Sequence, residues 1–134
     1  MSEERPLPLP DPGTAAYWEG ARAHKLLLPR CEACGQVHFY PRARCPHCGS
    51  SELIWIEASG RGSIYSFTVV QRPPSSAFKS MVPYVVGIVA LAEGPHLMTN
   101  IRGCAPHEVR IGMPVDVAWE DIDPATTLPY FVPR

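Results

Sequence analysis

Two short stretches decide how this chain folds: Cys31-Glu32-Ala33-Cys34-Gly35 and Cys45-Pro46-His47-Cys48-Gly49. Each is a Cys-x-x-Cys-Gly knuckle, and ten residues separate the last cysteine of the first from the first cysteine of the second. Four thiolates spaced in this way suit a tetrahedral zinc site, because each knuckle turns both of its sulfurs toward one centre. The glycine after each pair tolerates the left-handed backbone that such a turn needs.

The four cysteines predict a structural zinc ion, because a Cys₄ site leaves no coordination position open for water. The predicted ligands are Cys31, Cys34, Cys45 and Cys48. Two redox pairs or two disulfides are the alternative interpretation, and the doubled knuckle with its glycines favours zinc over both. The short spacer is typical of a rubredoxin-like ribbon. Metal binding should supply most of the free energy that folds this ribbon, on the order of 10 kcal/mol.

Length and composition predict a small protein with no membrane association. The 134 residues, 46% of them hydrophobic, suit one domain or one small module attached to a modest one. No apolar run is long enough to cross a bilayer. The start of the chain is polar and rich in proline, without an apolar signal region. We therefore expect a cytoplasmic location, where reduced thiols bind metal in preference to forming disulfides.

The charge is nearly balanced but unevenly distributed. The net charge is −1, which argues against a general nucleic-acid-binding protein. Residues 22–79 nevertheless carry eight basic side chains against three acidic ones, and the segments on either side are net acidic. Part of this positive charge offsets four thiolates and one zinc ion, which sum to about −2. The remainder is available to phosphates.

The predicted N-terminal unit, residues 1–24, consists of an extended tail and one helix. Alternating proline and leucine keep the first ten residues extended. Asp11-Pro12 then reads as a helix start, with Thr14 as an alternative cap. Within this helix, Tyr17 and Trp18 allow two interpretations that the sequence leaves open. They pack on the chain's own body, or they form exposed contacts with a partner, since both residue types are favoured at interfaces.

The predicted zinc ribbon spans residues 25–58 and holds three short strands. These are Lys25–Arg30 before the first knuckle, Val37–Pro41 after it, and Ser51–Glu57 at the exit. We expect Phe39 and Tyr40 to cover the metal. Three histidines lie near the cysteines in sequence, but a complete Cys₄ shell predicts surface or supporting roles for them: His24, His38 and His47.

Residues 59–134 are predicted to form a five-stranded OB-fold barrel, so that the whole fold is mainly β. The turn Ser59–Gly62 marks the boundary, and several short β-prone segments with glycine at the bends follow it. Glu120–Asp123 is expected in an exposed loop and Leu128–Val132 in an edge strand broken by prolines. The expected strands are residues 63–70, 83–91, 96–101, 114–119 and 128–132.

One loop of the predicted barrel is long enough to suggest a ligand site. Gln71–Val82 joins the first two barrel strands and contains the candidate ligand residues Arg72, Phe78 and Lys79. Long loops in compact domains are usually functional or disordered, and this edge of an OB barrel commonly binds ligands. A solvated surface loop is the alternative interpretation.

The sequence contains none of the usual catalytic motifs: no nucleophile elbow, phosphate-binding loop, dinucleotide fingerprint or zinc-protease motif. Cys104 would need a base such as His96 or His107 to act as a nucleophile. Single cysteines are more often buried and inert. The chain therefore reads as a binding or scaffolding module with no catalytic residue of its own.

Taken in order, several stretches resemble the zinc-ribbon/OB-fold family associated with acyl-CoA metabolism. The resemblance covers the chain from about Tyr17 onward, and the ordered set is more specific than any one piece. Beside the two knuckles it rests on Tyr17-Trp18-Glu19-Gly20, Leu27-Leu28-Pro29-Arg30-Cys31, Gly60-Arg61-Gly62-Ser63-Ile64-Tyr65-Ser66-Phe67-Thr68, Pro83-Tyr84-Val85-Val86, Arg110-Ile111-Gly112-Met113-Pro114-Val115 and Leu128-Pro129-Tyr130-Phe131.

The resemblance implies a small non-catalytic subunit that forms a hetero-oligomer with a thiolase-like or lipid-transfer-type aldolase enzyme. It also implies CoA or acyl-CoA as ligand. Arg72 and Lys79 suit the phosphates of CoA, and Phe78 can stack on its adenine. A single-stranded nucleic-acid-binding module is the alternative, because ribbons and OB barrels also bind single strands. The net charge and the few aromatic residues near basic ones speak against it.

Overall fold

The computed structural model describes residues 5–134, so the first four residues of the predicted tail lie outside the described part. These residues fold into one α-helix, a two-stranded ribbon sheet and a closed five-stranded barrel, which confirms the predicted mainly β fold. The elements are α1 (Ala15–Arg22), β1 (Leu27–Cys31), β2 (Leu53–Glu57), β3 (Arg61–Val70), β4 (Tyr84–Leu91), β5 (His96–Ile101), β6 (Pro114–Asp123) and β7 (Thr126–Pro133), with short 3₁₀ turns at Ser76–Phe78 and Pro106–Glu108.

The barrel closes in the order β3-β4-β5-β7-β6, and β3 returns to β6. All pairs are antiparallel except β5 and β7, which meet in parallel at the single pair Ile101 and Phe131. A side chain at Gly62, which pairs with both β4 and β6, would not fit against β4. A Cβ there would lie 2.5 Å from Cγ1 of Val89 and 2.7 Å from the carbonyl oxygen of Ala90. Closure of the barrel therefore requires glycine at this position.

The barrel core follows the two-residue period of its strands. Along β4 the buried residues alternate with half-buried ones, and the buried set is Val85, Gly87, Val89 and Leu91. Phe131 of β7 is the largest side chain that is fully buried. It stands where β7 meets both β5 and β6. The hydrophobic burial that stabilises the barrel is therefore spread over all five strands, and its largest side chain stands where the barrel closes.

The helix begins at Ala15, and Thr14, the second of the two predicted caps, occupies the N-cap position without a capping hydrogen bond from its side chain. Before it, Asp11 and Thr14 form a closed turn: the Thr14 N–H donates to Asp11 Oδ1 at 2.9 Å, and the Asp11 N–H donates to Thr14 Oγ1 at 3.1 Å. At the other end His24 adopts a left-handed backbone with φ 59°. The Lys25 N–H then donates to the Gly20 carbonyl at 2.8 Å. The chain turns from α1 directly into β1.

Two expectations about the strands are wrong. Val37–Pro41 is not a strand, because it pairs with β1 through only one bridge, between Arg30 and Val37. Glu120–Asp123 is not an exposed loop, because β6 continues through Asp123 before the hairpin to β7. The Ala125 N–H donates to Asp123 Oδ1 at 2.8 Å and closes this turn. The acidic residues therefore follow strand geometry imposed by β7.

The prediction of β7 as an edge strand is also wrong, since β7 pairs with β6 along nearly its whole length and closes the barrel. The strand tolerates its prolines because their backbone nitrogens, which carry no hydrogen, do not face β6. The Phe131 carbonyl accepts the Arg102 N–H on the β5 side, whereas the Arg134 N–H donates to Pro114 on the β6 side. Pro129 and Pro133 lie two residues before and after Phe131, so their backbone nitrogens also point toward β5. The ladder between β5 and β7 has only one residue pair, so no hydrogen bond is lost there.

The single helix of the described residues is too short and too polar to cross a lipid bilayer.

Replacing Phe131 by alanine should lower the free energy of unfolding by about 3–5 kcal/mol, because it leaves a large cavity at the closing strand. Denaturant titration followed by circular dichroism measures this loss. The exposed Ile111 is the matched control, and its replacement by alanine should change the free energy by about 0.5 kcal/mol or less. Equal losses for the two variants would contradict the proposed position of the core.

Candidate metal centre and ligand groove

The structure brings the four predicted cysteine ligands together. Their sulfur atoms all lie within 4.8 Å of one another. The Sγ atoms of Cys31 and Cys48 are 3.6 Å apart, as are those of Cys34 and Cys45. A tetrahedral ion with zinc–sulfur bonds of about 2.3 Å has sulfur–sulfur edges of about 3.8 Å. The geometry and the chemistry of these four donors therefore fit a zinc ion.

The two knuckles repeat one hydrogen-bond pattern. In the first, the Gly35 N–H donates to the Cys31 carbonyl at 2.8 Å, and in the second the Gly49 N–H donates to the Cys45 carbonyl at 2.9 Å. Gly35 and Gly49 both have left-handed φ angles, 78° and 80°. The His47 N–H also donates to Cys45 Sγ at 3.3 Å. Backbone geometry alone thus aims the sulfurs at one centre, as the glycines in the sequence predict.

The neighbouring histidines have different roles. His24 lies against the barrel, where its Nε2 is 2.9 Å from Asp121 Oδ1 and its ring stacks on Trp119 with centroids 5.7 Å apart. His38 is buried, and neither of its ring nitrogens has a hydrogen-bond partner among the described residues. Burial, followed by the positive charges of Arg42 and His47, lowers the pKa of His38 below its ordinary value. His38 is therefore neutral near pH 7.

A groove of about 670 Å³ opens on the barrel surface beside the helix. Its walls come from α1, from the segment between the knuckles, from the loop after β3 and from strands β4 to β7. A volume of this size is within the range of small-molecule sites. The lining includes seven aromatic side chains: Tyr17, Trp18, Phe39, Tyr40, Phe78, Tyr84 and Tyr130.

Tyr17 is the centre of the aromatic cluster on one side of this groove. Its ring centroid lies 4.9 Å from that of Trp18, 5.5 Å from Phe39 and 6.2 Å from Tyr40. Tyr17 is only 3% exposed, and burial, together with the nearby Tyr40, raises the pKa of its phenol well above the ordinary value. Of the two interpretations that the sequence leaves open for the aromatic residues of α1, packing on the chain's own body holds for Tyr17. It packs on the chain's own body because Phe39 and Tyr40 fold back over it.

Trp18 is partly exposed and lines the groove. Its indole Nε1 is buried and has no hydrogen-bond acceptor among the described residues. A buried donor without an acceptor costs about 1–3 kcal/mol. Trp18 is therefore the aromatic residue of α1 that a second molecule can still contact.

Of the three predicted ligand residues on the long loop, the structure places one in the groove. Phe78 lines the groove and lies 6.1 Å from Tyr84 between ring centroids. Arg72 and Lys79 are exposed on the same loop and do not contribute to the groove wall. Phe78 is the last residue of the 3₁₀ turn Ser76–Phe78.

Sequence reasoning missed the polar wall of the groove. Arg5 donates to both carboxylate oxygens of Glu120, at 2.7 and 3.5 Å, and Arg102 approaches the same carboxylate at 3.0 Å. Arg102 also lies over the Tyr130 ring, 4.6 Å from its centroid. Burial raises the pKa of Glu120, but hydrogen bonds and attraction from the two arginines outweigh it and hold the pKa below its usual value. Glu120 is therefore ionised at neutral pH.

The surroundings of Cys104 do not favour a nucleophile. Its side chain is partly buried against the hydrophobic core. Burial, with a smaller effect of Glu108, raises the pKa of the thiol above its ordinary value. A raised pKa reduces the thiolate fraction at neutral pH, and thiolate is the reactive form. His96 packs its ring on Tyr65 instead, with centroids 4.5 Å apart.

Comparison with known protein families assigns both parts of the chain. Residues 18–53 match the family described as "ChsH2, rubredoxin-like zinc ribbon domain", and residues 55–120 match "ChsH2, C-terminal OB-fold domain". The chain thus belongs to the class of proteins in which a zinc-ribbon domain precedes an OB-fold domain.

Solved and curated relatives name the family. A solved structure entitled "Ltp2-ChsH2(DUF35) aldolase" is similar with a TM-score of 0.84 and 43% identity, over 94% of this chain and 98% of that one. A "DUF35 domain-containing scaffold protein" of Methanocaldococcus jannaschii is 38% identical over 72% of this chain and 69% of its own length. The chain belongs to the DUF35 family of ChsH2-type zinc-ribbon/OB-fold proteins.

Another relative is much longer than this chain. It is a "Probable enoyl-CoA hydratase alpha subunit" of Thermomonospora curvata, 43% identical over 96% of this chain. The matched part spans 40% of that relative's length. The similarity therefore concerns the ribbon and barrel, while the larger remainder of the relative has no counterpart in this sequence.

The purified chain should contain one zinc ion, and replacing Cys45 by serine should remove it, because three thiolates hold zinc far less tightly than four. Elemental analysis by mass spectrometry gives the zinc content, and thermal unfolding gives the expected loss of stability. Replacing Cys104 by serine is the matched control and should leave the zinc content unchanged. A full zinc content in the Cys45→Ser variant would rule out the four-cysteine site.

Proposed function

We propose that this chain is a non-catalytic accessory subunit that binds acyl-CoA and positions its thioester for a partner enzyme of the thiolase-like or lipid-transfer-type aldolase class. The observation that carries the proposal is the aromatic groove beside the loop of residues 71–82. An apolar groove with a few polar groups is typical of a site for an elongated, partly apolar ligand. Acyl-CoA has such a shape, with charged phosphates at one end.

The absence of a catalytic role is supported by the chemistry of the two thiol sites. Four cysteines fill the coordination shell of a zinc ion and leave no position at which it could activate water. Cys104 has a raised pKa and a partly buried side chain. The scaffold name of the archaeal relative agrees with this assignment.

The zinc ion held by Cys31, Cys34, Cys45 and Cys48 has a structural role in this proposal. When bound, it cross-links the two knuckles and supplies folding free energy. Such thiols stay reduced in the cytoplasm, which is the compartment that we propose for the protein.

The ligand would lie along the groove with its CoA end at the long loop. Arg72 and Lys79 are exposed and able to contact phosphates. Phe78 lies on the same loop and faces the groove, so it can stack on the adenine or pack against the pantetheine arm. The apolar groove would then hold the pantetheine and acyl parts.

The partner would cover the side of the groove formed by α1. Trp18 contributes an accessible ring face and a buried N–H that lacks an acceptor. Tryptophan is enriched at interface hot spots. Tyr17 would act indirectly, by holding Trp18 in place through their edge-to-face contact at 4.9 Å. The relative whose structure is entitled an aldolase supports a partner of that class.

Reversing the loop charges in an Arg72→Glu/Lys79→Glu variant should weaken hexanoyl-CoA binding at least about tenfold, because charge-assisted contacts to phosphate would become repulsive. Isothermal titration calorimetry measures the affinity. Both side chains are exposed, so the thermal unfolding midpoint should stay unchanged. Reversal of Arg110, which is exposed and outside the groove lining, is the control. Unchanged affinity in the double variant would remove this loop from the ligand site.

Co-expression with a thiolase-like or lipid-transfer-type aldolase enzyme encoded in the same genome should yield a hetero-oligomer. Replacing Trp18 by alanine should weaken it about tenfold or more, since hot-spot truncations cost about 2 kcal/mol or more. Size-exclusion chromatography with light scattering measures the assembly, and Ile111→Ala is the control. A chain that elutes as a monomer beside each enzyme class would refute the proposed partnership.

A further inference from the structure

We propose that Arg102, supported by Arg5, forms an anion-binding subsite in the aromatic groove and binds a carboxylate or phosphate group of the ligand. This inference rests on the proposed function, because it takes acyl-CoA as the occupant of the groove. Both arginines line the groove together with their shared partner Glu120. The three residues come from the N-terminal segment, the end of β5 and strand β6, and none of them lies on the loop that carries Phe78.

The charges at this wall do not balance. Two guanidinium groups face one carboxylate, and Glu120 is ionised at neutral pH because its pKa is lowered. Among residues 5–134, which the structure describes, this leaves one positive charge without a paired carboxylate. The three side chains are only 23–34% exposed, so water screens this charge less than it would at an open surface. A groove with apolar walls and one uncompensated positive charge favours an anionic ligand group.

Arg102 has donors left for such a group. A guanidinium carries five N–H donors in a planar fork, and the contact with Glu120 uses the Nη1 nitrogen of Arg102 at 3.0 Å. The Tyr130 ring lies beneath the guanidinium at 4.6 Å, which holds its plane in a fixed orientation. The remaining N–H groups can therefore bind a carboxylate or phosphate in a bidentate way.

The backbone also holds Arg102 in place. Its N–H donates to the Phe131 carbonyl at 2.9 Å, immediately after Ile101 forms the single pair between β5 and β7. Arg102 thus projects from the point where the barrel closes, on rigid elements. A charged side chain fixed in this way can select a ligand geometry, whereas Arg72 on an exposed loop cannot.

Acyl-CoA can offer an anion from either of two parts of the molecule. The CoA moiety carries phosphates, and some acyl groups carry a second carboxylate at the far end of the chain. Three ligands separate these sources: CoA without an acyl group, hexanoyl-CoA, and adipoyl-CoA, which has the same chain length as hexanoyl-CoA and a terminal carboxylate.

The test is calorimetric titration of the full chain with each of these three ligands. An Arg102→Gln variant removes the charge, an Arg102→Lys variant keeps it, and Arg5→Gln probes the supporting residue outside the barrel ladder. Arg134→Gln is the matched control, because Arg134 also pairs with an acidic residue, Asp116 at 3.3 Å, but lies outside the groove lining. Circular dichroism and zinc content establish that each variant is folded.

We expect Arg102→Gln to weaken binding about tenfold or more, with a smaller loss for Arg5→Gln and for Arg102→Lys. A loss confined to adipoyl-CoA assigns the subsite to an acyl carboxylate, and an equal loss for all three ligands assigns it to a CoA phosphate. Unchanged affinities in folded Arg102→Gln and Arg5→Gln variants overturn the subsite and leave the proposed function standing. Failure of the wild-type chain to bind any of the three ligands overturns acyl-CoA binding itself.

Discussion

The burial of one tyrosine ring determines how the parts of this protein fit together. Tyr17 lies in α1, which packs against β1 of the ribbon and β7 of the barrel. Its ring contacts Phe39 and Tyr40 from the segment between the knuckles. Aromatic pairs at such distances stabilise beyond their buried area by about 0.5–1.5 kcal/mol. Tyr17 thus belongs to one hydrophobic cluster with residues of the ribbon and of the barrel, and the groove lies beside it.

The groove differs in character from one wall to the other. The aromatic wall depends on packing between separate elements, whereas the polar wall depends on barrel closure, which fixes Arg102 beside the pair of Ile101 and Phe131. Glu120 links the two arginines because β6 extends far enough to carry it to the groove. The extension of β6 beyond the predicted strand end is therefore what creates the charged wall.

Local patterns made much of the fold predictable from the sequence. The cysteine spacing and the glycines after each pair specify the knuckles, and the β-prone segments with glycine bends specify the barrel. Features that depend on distant contacts were not accessible in this way. Pairing with β7 turns Glu120–Asp123 into a strand, and packing buries Tyr17. Phe78 was found because a long loop stands out, but Arg5 and Arg102 meet Glu120 only in the folded chain.

Phe39 and Tyr40 belong to the segment between Cys34 and Cys45. The four-cysteine site therefore anchors both ends of the segment that carries them. Two aromatic side chains of the groove are therefore tied to a centre that takes no part in forming the barrel sheet. Loss of zinc from the four cysteines would therefore change the shape of the groove even where the barrel strands stayed paired.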